Sequence, residues 1–297
     1  MHRCLPGQRL SEYRAVTTAA ARSAAVALLV GTAGLAGCGD SPSAADAAIT
    51  DAGVDAATDA GASPDAGGDP MFLADTGLCL DAGCTQIAAG IVPYTPQYQL
   101  WSDGATKQRW IYLPPGSQID TSNMDRWVFP TGTRLWKEFT RDNVRVETRM
   151  IEKRGSDESS WYYVSFVWNQ AQDQAVATPA GMMNANGTGH DVPSRADCRR
   201  CHDQVSTRVL GFSAVDLDHV GPKGHLNLAQ LIADDVLTAP PSGSAPFFAL
   251  PGNPAERAAL GYLHANCGHC HNPDSSIHAN RPLELGLETA RLDTLAT

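Results

Sequence analysis

The chain has 297 residues, 43% of them apolar and 18% charged, with a formal net charge of −10. This composition excludes fibrous, coiled-coil and wholly disordered classes. The acidic balance argues against a generic nucleic-acid binder that works by neutralising phosphates, so no nucleic-acid partner is expected. The eight cysteines fall too unevenly to form one disulfide framework, and each is read in its own context.

At the N-terminus, Arg3, Arg9, Arg14 and Arg22 precede an apolar stretch from Ala24 to Leu35. That stretch is shorter than the roughly 20 residues a membrane-spanning helix needs, so residues 1–37 read as a signal peptide. It ends in Leu35-Ala36-Gly37-Cys38, which resembles the bacterial lipobox; the alternative is an ordinary secretory signal with a chance cysteine. The lipobox reading makes Cys38 a lipid anchor and places the protein in the bacterial cell envelope, facing the periplasm or the exterior. From Gly39 to Pro70, 28 of 32 residues are Asp, Ala, Gly, Ser or Pro, and such a segment cannot bury enough apolar surface to offset its ordering. Residues 38–70 are therefore expected to be a flexible tether.

Residues 71–180 change character. Short β-branched and aromatic runs at 109–113, 126–129, 134–139, 144–153 and 161–168 alternate with turn residues such as Pro114-Pro115-Gly116. Val144, Val146, Thr148 and Met150 alternate with Arg145, Glu147, Arg149 and Ile151, which predicts a strand with one face toward a core. The expected form is a small antiparallel β-sandwich or barrel. Within it, Leu100-Trp101-Ser102-Asp103-Gly104-Ala105 reads as an Asp-Gly turn, or else as a ligand loop in which Trp101 stacks on a sugar ring. Cys79 and Cys84, with four residues between them in an exported chain, predict a small-loop disulfide.

The chemistry-bearing pattern lies in residues 181–297. Cys198-Arg199-Arg200-Cys201-His202 and Cys267-Gly268-His269-Cys270-His271 both match the c-type haem attachment motif. Two thiols separated by two residues can each add to a porphyrin vinyl group, and the next histidine is then held beneath the iron. His202 and His271 are the proximal candidates, and two covalent haem c groups are expected. A Cys₄ zinc site, redox-active CxxC pairs and structural disulfides compete with this reading. Zinc leaves the histidine that follows each pair unexplained, and a thioredoxin-like site needs a βαβ setting that the sequence lacks.

Helices are expected around the motifs. Asn253 is a good N-cap and Pro254 suits the first helical position, so a helix should run from Ala255 to Ala265 into Cys267. Asn227–Leu237 is a second amphipathic segment, and Pro193-Ser194 caps the turn before Cys198. No methionine follows Met183, so distal ligands are sought among the histidines, with His219 and His225 favoured because a loop after the first motif can fold back over a ring. His190, His264, His269 and His278 remain alternatives.

Taken together, Leu100–Ala105, Phe129-Pro130-Thr131-Gly132-Thr133 with Lys137-Glu138-Phe139, Glu147-Thr148-Arg149, Tyr163–Asn169 and the run Glu256-Arg257-Ala258 through Tyr262–His271 resemble a family of bacterial exported di-haem c-type cytochromes, sometimes fused to sugar-dehydrogenase-type modules. The resemblance covers about residues 71–297. It implies periplasm-side electron transfer with Cys198, Cys201 and His202 holding one haem and Cys267, Cys270 and His271 the other. Exported redox proteins or a dehydrogenase are the implied partners. Family members continue past the second motif into a Met-Pro element, whereas only 26 residues follow His271 here, so the second haem pocket is expected to be incomplete. The expected fold is α+β, a β-sandwich or barrel-like module followed by a mostly helical cytochrome c-like haem domain. Two rival functions are a haem peroxidase-like enzyme with an open distal site and a cell-surface binding protein whose cysteines are structural.

Overall fold

The computed structural model describes residues 68–294; the expected signal peptide, the expected lipidation residue Cys38 and all but the end of the expected tether lie outside the described residues. Six strands form one antiparallel sheet: β1 (Ile91–Pro93), β2 (Thr106–Tyr112), β3 (Arg134–Arg141), β4 (Val144–Lys153), β5 (Trp161–Trp168) and β6 (Ala175–Ala177). Their spatial order is their chain order, a simple meander. The two-residue turn Asp142-Asn143 between β3 and β4 has φ of 52° and 63°, the left-handed conformation that matches the twist of a tight hairpin.

Each face of the sheet carries its own core. Trp110, Trp136, Met150, Val164 and Phe166 point to one side and pack with Leu73, Leu78, Cys79 and Trp168. Ile111, Leu135 and Tyr163 point to the other side, where Tyr94, Phe212, Leu217, Leu228 and Leu231 from the flanking and C-terminal segments cover them. Phe212 is the anchor of this second core, its ring centroid 4.9 Å from Tyr94 and 6.0 Å from Trp127, both edge-on. Edge-to-face pairs of this kind add about 0.5–1.5 kcal/mol each beyond their burial.

Three expectations are corrected. The β-rich segment is a single open sheet and not a sandwich or barrel, because its second covering layer comes from irregular chain. The segment 126–129 is not a strand of the sheet; Val128 makes only an isolated bridge to Asp120. The C-terminal part is not a mostly helical cytochrome c-like domain: its α-helices are α1 (Arg195–His202), α2 (Ala214–Leu217), α3 (Leu228–Ala233) and α4 (Pro254–Leu263), of 8, 4, 6 and 10 residues. Helices this short are marginal alone, and here they are held by packing on the sheet. Among the described residues no helix is long and apolar enough to cross a membrane.

The N-terminal segment before β1 is tied down by the Cys79–Cys84 disulfide, whose Cα atoms are 5.0 Å apart. The carboxylate of Asp81 within that loop accepts from the backbone N–H groups of Thr85 and Gln86 at 3.0 Å, which fixes the loop's turn. Asp103 and Gly104 form the expected turn, with φ of 49° and 80°. Trp101 beside it is exposed, its indole N–H donating to Asp103 Oδ1 at 3.0 Å.

Candidate functional site

The first CxxCH motif occupies α1. Ser194 caps the helix by accepting from the Asp197 N–H, and the Asp197 carboxylate accepts from the Ser194 N–H in return, a reciprocal capping box. Cys198 and Cys201, three positions apart, share one helix face. Both are free thiols, half-buried, and burial pushes both pKa values up. His202 closes the helix. Its Nδ1 lies 2.6 Å from the Arg208 carbonyl oxygen, which can only accept, so Nδ1 carries the proton and Nε2 holds the free lone pair. Burial, with the Lys137 and Arg149 charges adding to it and the Arg208 hydrogen bond opposing it, pushes the His202 pKa down to about 4. The segment after the helix returns beneath the ring because Arg208 adopts a left-handed φ of 59°.

The second motif follows α4. Asn253 Oδ1 accepts from the N–H groups of Ala255 and Glu256, Glu256 completes the box, and Pro254 occupies the first turn, as the sequence predicts. The helix then widens into a π-turn over His264–Gly268, a local device common at functional sites. Cys270 and His271 hang from it, both N–H groups donating to the Cys267 carbonyl. Gly268 is required here: a Cβ would sit 2.8 Å from the Gly286 Cα and 2.9 Å from its nitrogen, both backbone atoms. The strap around Gly286 is held to the motif by the Leu285 N–H donating to the His271 carbonyl and the Leu287 N–H donating to His264 Nδ1. The Nδ1 atom of His271 is buried and has no hydrogen-bond partner among the described residues. Buried polar atoms of native proteins are rarely left so.

The residues just after each motif are stitched together. Asn272 Nδ2, next to His271, donates to the Gln204 carbonyl at 3.1 Å, two residues past His202. Gln204 Oε1 in turn accepts from the Ser275 and Ser276 hydroxyls and the Ser276 N–H. The two motifs are neighbours, and the Cys201 thiol contributes to raising the Cys270 pKa, after burial. Between the 205–211 loop, the second motif and the sheet lies an open cleft. Among the described residues no three His, Cys, Asp or Glu side chains converge as a metal cage, so the four thiols do not form the tetrahedral set a Cys₄ zinc site requires.

Sequence reasoning did not anticipate the floor of this cleft. Arg109, Lys137 and Arg149 stand directly opposite one another on β2, β3 and β4, and Arg109 and Lys137 line the cleft. Beside them Glu147 is fully buried and bonded to Arg149 Nε at 3.0 Å and to His190 Nε2 at 2.7 Å. Burial raises the Glu147 pKa, but the Arg149 charge and the two hydrogen-bond partners outweigh it and hold the carboxyl below the ordinary value. The period-two pattern of β4 marked this face as polar; it could not show that the face is covered.

The distal candidates lie elsewhere. His219 Nε2 is 2.8 Å from the Thr95 carbonyl and His225 Nδ1 is 2.9 Å from the Thr95 hydroxyl, and neither lines the cleft. His190 is bonded to Glu147, and His264 accepts a backbone hydrogen bond through Nδ1. Of the alternative histidines, His264 and His269 line the cleft. No protein-family profile, curated protein or solved structure matches the chain.

Proposed function

We propose that the protein is an exported, lipid-anchored c-type cytochrome that holds two haem groups covalently and passes single electrons between exported partners. The observation that carries this reading is at His202: its Nδ1–H is fixed on the Arg208 carbonyl, which leaves Nε2 deprotonated and orients the ring, while two free thiols stand on the preceding turns of the same short helix. A histidine whose second nitrogen is pinned to a carbonyl is the arrangement by which proteins prepare an iron ligand. At the second motif, the Cys267 and Cys270 thiols and the adjoining cleft support the same group at Cys267, Cys270 and His271.

Haem iron supplies one-electron redox chemistry by cycling between its ferric and ferrous states. The chain's own residues do the rest. Cys198 and Cys201, and likewise Cys267 and Cys270, add their S–H bonds across porphyrin vinyl groups, sulfur to one carbon and the proton to the other. His202 and His271 would each supply a ring nitrogen to the iron. The Gln204–Asn272 contact keeps the two attachment turns adjacent, which favours transfer from one group to the other. Loss of both thiols in one motif tests the assignment: in a host competent for cytochrome maturation, C198A/C201A and C267A/C270A should each lose one haem by pyridine haemochrome quantitation. Retention of the wild-type haem content by either pair would remove that motif from the reading.

A further inference from the structure

Two of the three cations in the row on the sheet make no side-chain hydrogen bond or ion pair among the described residues. Arg109 is only 3% exposed, yet among the described residues its guanidinium makes no hydrogen bond and no ion pair, and Lys137 has only the edge of a cation–π contact with Phe139, 5.4 Å from the ring centroid. The nearest carboxylates are Asp216, whose charge acts on Arg109 and which accepts from the Ser213 hydroxyl at 2.7 Å, and Glu147, whose charge acts on Lys137 and which is held by Arg149 and His190. Of the other acids lining the cleft, Asp274 pairs with Arg126, Glu284 and Glu288 pair with Arg291, and Asp125 accepts from Thr289. Three cations side by side against two carboxylates, with no hydrogen-bond acceptor on the Arg109 guanidinium, leave room for a further anion to complete the arrangement. Arg109 and Lys137 line the cleft together with Gly268 and His269 of the second motif. Arg in particular suits carboxylate, because its planar fork matches two oxygens.

We propose that Arg109 and Lys137 are a carboxylate seat that holds the propionate side of the haem entering this cleft; the inference rests on the di-haem reading above. The seat fixes which edge of the porphyrin is inward, and its two cations neutralise the propionates without help from solvent.

The test uses the mature holoprotein, with haem content confirmed by intact mass and the propionate-bending band followed by resonance Raman spectroscopy. In R109Q/K137Q the band should move to lower frequency with two haems still attached, while the conservative R109K/K137R should keep it near its wild-type position. Lys153, a buried lysine away from this row, serves as the control, and K153Q should leave the band unmoved. Should the double Gln variant fail to accumulate, R109Q and K137Q singly should each give part of the shift. Two haems with an unmoved band in all Gln variants would overturn the seat and leave the cytochrome reading standing. Absence of haem from the wild-type protein would overturn both. Citrate titrated into the wild-type holoprotein distinguishes the other source of carboxylate: saturable binding that R109Q/K137Q abolishes would assign the cations to a soluble acid and overturn the propionate role.

Discussion

Gly261 sits in the interior of α4, where replacement by Ala should stabilise an ordinary exposed helix by about 1 kcal/mol. The structure predicts the opposite sign. A Cβ at Gly261 would fall 2.0 and 2.1 Å from Cδ1 and Cε1 of the Tyr98 ring and 2.7 Å from its Cγ, so the whole ring must leave its place. Tyr98 is half-buried against the cluster of Val215, Leu250, Leu287 and Leu292 that supports the second motif. A tyrosine buries about 150–250 Å²; losing half of that contact at about 25 cal/mol per Å² costs roughly 2–3 kcal/mol. Set against the helix gain, G261A should destabilise the protein by about 1–2 kcal/mol in urea denaturation. In a Tyr98→Ala background the clash is gone, and G261A should there be stabilising. A gain in stability from G261A with Tyr98 intact would refute the claim that this helix is seated by Tyr98, and with it the account of how the second motif is positioned.

Other outcomes follow from the same geometry. Phe212→Ala should cost about 3–5 kcal/mol, because it opens the core shared by the sheet and the C-terminal segment; a loss under 1 kcal/mol in chemical denaturation would contradict that shared core. Glu147→Ala should cost about 1–3 kcal/mol by leaving buried His190 and half-buried Arg149 without their carboxylate. Since the Glu147 pKa is depressed in the folded state, its contribution is present above the unfolded value and is lost as pH falls through the folded one, so E147Q should flatten the acid limb of a stability-against-pH curve. An unchanged acid limb would show that other carboxylates govern it. Lys107, whose pKa burial pushes down to about 8 with the Arg109 and Arg149 charges adding to it, predicts stability rising between about pH 8 and the ordinary lysine value; K107M should remove that rise.

The two CxxCH motifs are legible because their spacing is local, and so are the caps that precede them. Ser194 with Asp197 and Asn253 with Glu256 are three-residue signals that need no knowledge of the fold. The hairpin strands at 134–153 and 161–168 were legible for the same reason. What was not legible depends on what covers a surface. Arg109, Lys137, Glu147 and Arg149 alternate as a solvated strand face would, yet chain from beyond residue 181 lies over them. The alignment of the three cations is fixed by two hairpin registers, which no single strand records. The helical expectation failed where Pro240, Pro241, Pro246 and Pro251 with Gly243 and Gly252 forbid long helices, and where α3 stops at Ala233 ahead of Asp235, which is left-handed.

The most direct measurement is the intact mass of the exported protein, with its reduced absorption spectrum, from a host carrying the cytochrome c maturation system. The account predicts a mass gain of two haems and a c-type reduced spectrum, both surviving acid–acetone extraction because the thioether bonds are covalent. A chain with no added haem and four titratable thiols at Cys198, Cys201, Cys267 and Cys270 would contradict it.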